Sequence, residues 1–264
     1  KNLRLQLLFL CIYYVNTSLE IPFLEYLMYK YNEGAMQDTM ICPFIEYTKH
    51  HSLENHLRMF FTKVFHESIE GQQIEIKGLL GDSRPAATVA VDDGLNRVIH
   101  QTTPFSIRFG DDDERWANYI MLDGLQRQLN LHPTIPQTVP VTERYVRVAK
   151  SFIKTGQTRV NDSLSGEMPF ELVLEGLWTQ ITPGNYAFTL YDGQTPLEGV
   201  LLKAFRHSDR AVASKAFTDA NGRVELELPS ADRYLISGVV IRPDDNPKYD
   251  WISHWPTITL EVIQ

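Results

Sequence analysis

The second half of the chain alternates apolar and polar residues in short runs. Tyr186, Phe188 and Leu190 alternate with Ala187, Thr189 and Tyr191, and Val224, Leu226 and Leu228 alternate with Glu225 and Glu227. A period of two with one polar face is what a half-buried strand requires. The pattern predicts strands over residues 169–175, 185–191, 199–206, 212–218, 223–228, 233–242 and 257–263. Asp192-Gly193 and Asn221-Gly222 are the strongest hairpin signals, because both residue types tolerate positive φ. Regular short strands with turn residues between them predict an immunoglobulin-like or transthyretin-like sandwich over 166–264.

Upstream, Ile74 and Ile76 alternate with Glu75 and Lys77, and further strands are expected over 88–91, 97–101 and 105–109. Asp92-Asp93-Gly94 and Thr103-Pro104 interrupt them. Trp116, Tyr119, Ile120, Leu122, Leu125 and Leu129 make one apolar face of a helix over 113–130. Asp111, Asp112, Asp113 and Glu114 sit at its start, where the helix dipole favours negative charge; a cation-binding loop is the alternative. Three prolines in 132–140 make an extended connector, and 143–153 reads as a strand or a short helix. The polar stretch 155–166 is the expected boundary between a β-rich domain over 71–165 and the sandwich. The expected fold is therefore mainly β, with two sandwich-like domains and one or two helices.

Residues 18–70 are weakly periodic. Leu53, Leu57, Phe60, Phe61 and Val64 fall at helical spacing and predict a helix over 52–65, with Ser52 as its N-cap. At the start, Lys1 and Arg4 precede the apolar run LRLQLLFLCIYYV. The run is too short to span a bilayer and resembles a secretory signal over 1–17, so a periplasmic or otherwise extracytoplasmic location is expected.

Length and charge narrow the function. The 264 residues leave room for one large or two ordinary domains. A net charge of −8 repels phosphate backbones and argues against a nucleic-acid partner. The two cysteines, Cys11 and Cys42, both lie near the start, which excludes a disulfide framework or a thiolate zinc site in the rest of the chain.

Several segments resemble known families. PLEGVLLKAF, TDANGRVELELP and RYLISGVVIRP are similar to strands and a hairpin of the carboxypeptidase-regulatory and transthyretin-like sandwiches. The closing DWISHWPTITLEV resembles that of a large bacterial family described as NikM-like periplasmic components of nickel and cobalt transport. PAATVAVDDGLNRVIHQTTPFSIRF, WANYIMLDGL, ERYVRVAKSFIKTG and GEMPFELVLEG resemble upstream segments of the same family, so the likeness runs from about 72 to 263. Two departures are visible. Residues 18–70 lack the His-x-x-Trp-like strand that usually opens the family, and Val240 stands where the family often has histidine. The resemblance implies an exported protein that binds nickel or cobalt and works with metal-uptake transporter components or other envelope proteins, at most peripheral to the membrane.

Eight histidines are present. His50, His51 and His56 cluster near Glu46 and Glu54, and imidazoles bind nickel, cobalt, zinc and copper; a solvated surface is the plain alternative. The motif HSLENH is not HExxH, which excludes the zinc-protease reading. His207 lies with Asp209 in the turn RHSDR, and His254 lies between Trp251 and Trp255, close to Asp250. His207, His254 and Asp250, with His50, His51 and His56, are the candidate metal ligands. His100 reads as a strand residue. Trp251 and Trp255 either plug the end of the sandwich or stack on sugar rings. No Gly-x-Ser-x-Gly elbow, P-loop or dinucleotide fingerprint occurs, so no enzyme is expected. The expected function is an exported, non-catalytic binding protein of the cell envelope that handles nickel or cobalt or assists its uptake. The alternative is a structural or carbohydrate/protein-interaction β-sandwich module.

Overall fold

The computed structural model describes residues 4–5, 61–67, 73–75, 89–90 and 94–264. The elements of the first part are β1 (Arg4–Leu5), β2 (Phe61–Glu67), β3 (Gln73–Glu75), β4 (Val89–Ala90), β5 (Gly94–Thr102), β6 (Phe105–Arg108), α1 (Asp113–Asp123), α2 (Gln126–Leu129) and β7 (Thr142–Thr155). The second part adds β8 (Phe170–Leu174), β9 (Gly184–Asp192), β10 (Thr195–Pro196), β11 (Leu201–Arg206), β12 (Val212–Phe217), β13 (Arg223–Leu228), β14 (Asp232–Ser237), β15 (Val240–Pro243) and β16 (Trp251–Val262).

A ten-stranded sheet runs in the order β12-β11-β14-β16-β7-β5-β2-β3, with β15 beside β16 and β6 beside β7. Its ladders are antiparallel except for β7 and β16, which lie parallel from Trp251↔Glu143 to Thr259↔Ser151. A smaller sheet joins β8, β9, β10 and β13, and β1 pairs with β4. The small sheet packs on one face of the large one. Leu172, Phe188, Leu190 and Leu226 meet Leu202, Ile236, Ile258 and Leu260 there. This is the β-sandwich that the alternation predicts.

The opposite face of the large sheet is covered too. Trp116, Tyr119, Leu125 and Leu129 of the helical segment pack with Tyr145, Trp251 and Trp255. Period-two alternation along β16 serves both layers. Trp251 and Trp255 face the helix, whereas Ile258, Leu260 and Val262 face the small sheet.

Several boundaries differ from expectation for identifiable reasons. The sixth sandwich strand breaks after Ser237, because β16 changes partner there. Its residues 251–254 pair with β15 and its residues 257–262 with β14. Pro256, which has no N–H to donate, sits at the change, and its carbonyl accepts from Gly238 N at 3.3 Å. The final strand begins at Trp251, six residues before the expected start at 257. The helix over 113–130 divides at Gly124, which caps α1 in the left-handed conformation. Residues 143–153 are strand.

The helix expected over 52–65 is corrected where it can be seen. Residues 61–65 belong to β2, which pairs antiparallel with β5. The segment FTKVFHE is aromatic and β-branched, and such composition fits a pleated sheet once a neighbouring strand is available. Residues 52–60 lie outside the described residues, as does the signal-like segment 1–17 apart from Arg4 and Leu5. Among the described residues no helix is long and apolar enough to cross a membrane. The stretch 155–166 links β7 to β8, and the large sheet continues past it because β16 returns alongside β7.

Asp192-Gly193 opens the β9–β10 hairpin as expected. Asn221-Gly222 does something else: its turn carries the chain from β12 in the large sheet to β13 in the small one. Gly222 N donates to Asp219 O at 2.8 Å, and the Asp219 carboxylate accepts from Asn221 N and Arg223 N at 2.9 Å each. Gly222 has φ +68°, and a Cβ there would lie 2.6 Å from Leu190 O and 2.8 Å from Leu197 N. Gly222→Ala should therefore cost about 1–3 kcal/mol in denaturant unfolding. An unchanged midpoint would show that this corner does not constrain the sandwich.

Candidate functional site

The most unusual chemistry lies beneath α1. Asp112 caps this helix by accepting from Arg115 N at 2.9 Å, and Asp113 and Glu114 occupy its first turn. The acidic run thus has a local role in starting the helix. Tyr119 and Asp123, one turn apart, project onto the sheet. The Tyr119 ring stacks on Trp255 at 6.2 Å and on Phe109 at 5.8 Å. Its hydroxyl donates to Glu143 Oε1 at 3.0 Å. Ser253 Oγ donates to the same oxygen, and Trp255 Nε1 donates to Ser253 Oγ at 3.0 Å.

Glu143 is 0% exposed, and its Oε2 is buried without a hydrogen-bond partner among the described residues. Burial pushes its carboxyl up to about 8, and the nearby Asp123 charge adds to the rise, against the lowering effect of the Ser253 and Tyr119 hydrogen bonds. Burial likewise raises the Tyr119 phenol well above its usual range, helped by the Glu143 and Asp123 charges. Glu143 is therefore held as a neutral carboxylic acid at neutral pH.

The same face continues toward β11. Lys203 Nζ forms a buried ion pair with Asp123 and also donates to Leu122 O at 3.3 Å, placing a cation at the C-terminal end of α1. Ser237 Oγ and Thr257 Oγ1 lie 3.2 Å apart on neighbouring strands. Gln128 ties the next turn to β15: its Nε2 donates to Val239 O and its Oε1 accepts from Ile241 N, both at 2.9 Å.

A second buried polar cluster lies on the other face of the large sheet. Asp162 accepts from Arg97 at 3.1 Å, from Lys150 at 2.7 Å and from Leu174 N at 3.0 Å. Arg97 also reaches Glu67 at 2.8 Å, and Lys150 reaches Glu171 at 3.0 Å. These pairs fasten the 156–169 connection to β5 and β7, which is a structural task.

The sequence-derived candidates are distributed differently. Asp250 binds the start of β7, its carboxylate accepting from Thr142 N at 2.8 Å and from Thr142 Oγ1 at 2.7 Å. His254 faces the small sheet, its ring 4.7 Å from Phe170. Burial and the Arg242 charge lower its pKa to about 4, against Asp192 and Asp244, and its Nδ1 is buried without a hydrogen-bond partner among the described residues. His207 sits in the β11–β12 turn with its ring 3.4 Å from Arg233 Nη2; burial and that charge lower its pKa.

Arg233 pairs with Glu261, seven positions along β16 from His254, a distance of ~23 Å at strand rise. Asp250 lies four positions from His254, or ~13 Å. Metal ligands must all lie within about 2.3 Å of one ion, so His207, His254 and Asp250 do not fit a shared centre. Among the described residues, no group of three or more His, Cys, Asp or Glu is placed to hold a metal. His50, His51 and His56 lie outside the described residues. His100 is a buried residue of β5. Trp251 is 0% and Trp255 5% exposed, so both rings face the helix rather than an open sugar-binding surface.

Sequence reasoning passed over Glu143, Tyr119, Asp123, Lys203 and Ser253. The available signals were weak but physical. Lys203 interrupts the apolar run LLKAF, and Ser253 lies between two tryptophans at strand period.

In comparisons with known proteins, no family model matches the chain and no curated protein matches it. The likeness to the nickel and cobalt family rests on the motifs quoted above.

Lys203→Met should leave the Asp123 carboxylate buried and unpaired, at a cost of about 3–5 kcal/mol in denaturant unfolding. Adding Asp123→Leu should recover most of that loss. A single variant as stable as the parent would show that the pair is idle. His254 should remain neutral in NMR titration until pH falls to about 4. Its depressed pKa contributes stability above the ordinary 6.5 that is lost as pH falls through the folded value. An imidazole midpoint near 6.5 would contradict the burial argument.

Proposed function

We propose that the chain is a non-catalytic β-sandwich interaction protein of the cell envelope, and that it engages partners along the β12 edge of its large sheet. The observation that carries this reading is the exposure of Phe217 on β12, at 44%. Val212 on the same strand is also exposed, as is Met121 on α1, at 68%. The Phe217 ring lies against Gly124, and the Arg127 guanidinium sits 6.0 Å from its centroid. β12 ends the order of the large sheet, and such an edge accepts an added strand.

Charge narrows the partner. Lys215 on the strand and Arg127 near Phe217 put positive charge along the middle of this edge, with Arg210 and the carboxylates Asp209 and Asp219 at its ends, on a chain of net charge −8. An extended segment alternating apolar and acidic residues complements it. Peptides of that pattern should bind the parent at least tenfold more tightly than they bind Phe217→Glu. Equal binding to both would sink the reading.

Nickel or cobalt handling, carried by the family resemblance, has one observation in its favour: His254 offers a neutral imidazole with an unpartnered Nδ1. Calorimetric titration of the full chain with either ion tests it. Saturable heat lost in His254→Phe would support it; no heat beyond buffer would exclude it.

A further inference from the structure

Glu143 belongs neither to the proposed edge contact nor to the metal reading. It is fully buried beneath α1, and its two hydrogen-bond donors come from different elements. Tyr119 comes with the helix and Ser253 with β16. Among the described residues only Oε1 is served, and Oε2 is buried without a partner.

Beyond the two hydroxyl donors, no cation among the described residues pairs with a negative charge on Glu143. From α1, Asp123 faces Glu143 with a like charge, and Tyr119 with a neutral phenol. From β11, the Lys203 ammonium is already paired with Asp123. From β6, the residue opposite Glu143 is the apolar Ile107. On β7 itself the next cation of the same face is Arg147, four residues away or ~13 Å. Across the connector, the His132 ring lies edge-on to Trp251, at 6.2 Å. Lifting α1 would take away the Asp123 charge and let water reach Oε2 in one movement.

We infer that Glu143 is a proton-operated latch for helix α1: the helix stays docked while Glu143 holds its proton and loosens when the proton leaves to solvent. The sign follows from linkage. The docked state holds the carboxyl at about 8 and the undocked state near the ordinary 4.5. Docking is therefore at full strength below 4.5 and weakens as pH rises toward 8, by tenfold per pH unit for one proton.

Hydrogen exchange of the full chain, corrected for the intrinsic pH dependence of amide exchange, tests this between pH 5 and 9. The opening constant of residues 113–123 should rise about tenfold per pH unit up to about pH 8 and then level, and it should exceed that of β13 throughout, because α1 opens without the sandwich. In Glu143→Gln the slope should vanish. Tyr119→Phe, which removes one donor to the anion, should keep the slope and move its upper limit to higher pH. Infrared spectra at pH 7 should contain a protonated carboxylic acid band that Glu143→Gln removes. A flat opening constant in the parent, an opening constant for 113–123 no larger than that of β13, or a slope surviving in Glu143→Gln would each overturn the latch.

Discussion

The parallel pairing of β7 with β16 is the constraint on which the rest of the structure depends. It joins segments more than a hundred residues apart through nine residue pairs, from Trp251↔Glu143 to Thr259↔Ser151. Parallel strands need a long crossover, and here the crossover is the sandwich itself. Asp250 fixes the start of the register by binding both the backbone N–H and the hydroxyl of Thr142. A slip of one residue would exchange the two faces of β16. Trp251, Ser253 and Trp255 would turn toward the small sheet, and Ile258 and Leu260 toward the helix. The clasp thus decides which core each side chain enters.

Both faces of this pair are covered over much of its length, so Glu143, Lys150 and Ser151 of β7 are buried rather than solvated as they would be in a one-sided sheet. The structure meets that difficulty in two ways. On the sandwich side, Lys150 is neutralised by Asp162 and Glu171. On the helix side, Glu143 receives donors on one oxygen, and Lys203 is matched by Asp123. Removing one partner of a buried ion pair costs more than the pair contributes, so these contacts specify where the helix and the 156–169 connection dock. Glu143 is the exception, since no cation among the described residues pairs with it and only a proton neutralises it there.

Much of the sandwich was legible because its strands alternate at period two and each alternation is local. The helix over 113–130 was legible for the same reason, from the spacing of Trp116, Tyr119 and Leu129. Partners were not legible, because strand pattern does not encode which strand lies alongside. That is why Asn221-Gly222 read as a hairpin but proved to be a corner between sheets. Local periodicity also misread residues 61–65, where pairing with β5 overrides the helical spacing. At the candidate site, Glu143 heads a strand whose alternate positions 143, 145 and 147 look like an ordinary polar face. Only the helix laid over that face makes its carboxyl unusual. His207, His254 and Asp250 looked related through residue type, yet the fold sends them to separate surroundings.

Native-state hydrogen exchange across a denaturant series, resolved on β7 and β16, tests the coupling of the two halves most directly. Residues 142–155 and 251–262 should open with one shared free energy, the highest in the protein, and one shared denaturant dependence. Protection of 251–262 persisting with β14 after 142–155 has opened would contradict it, and would show that the sandwich stands without the parallel pair.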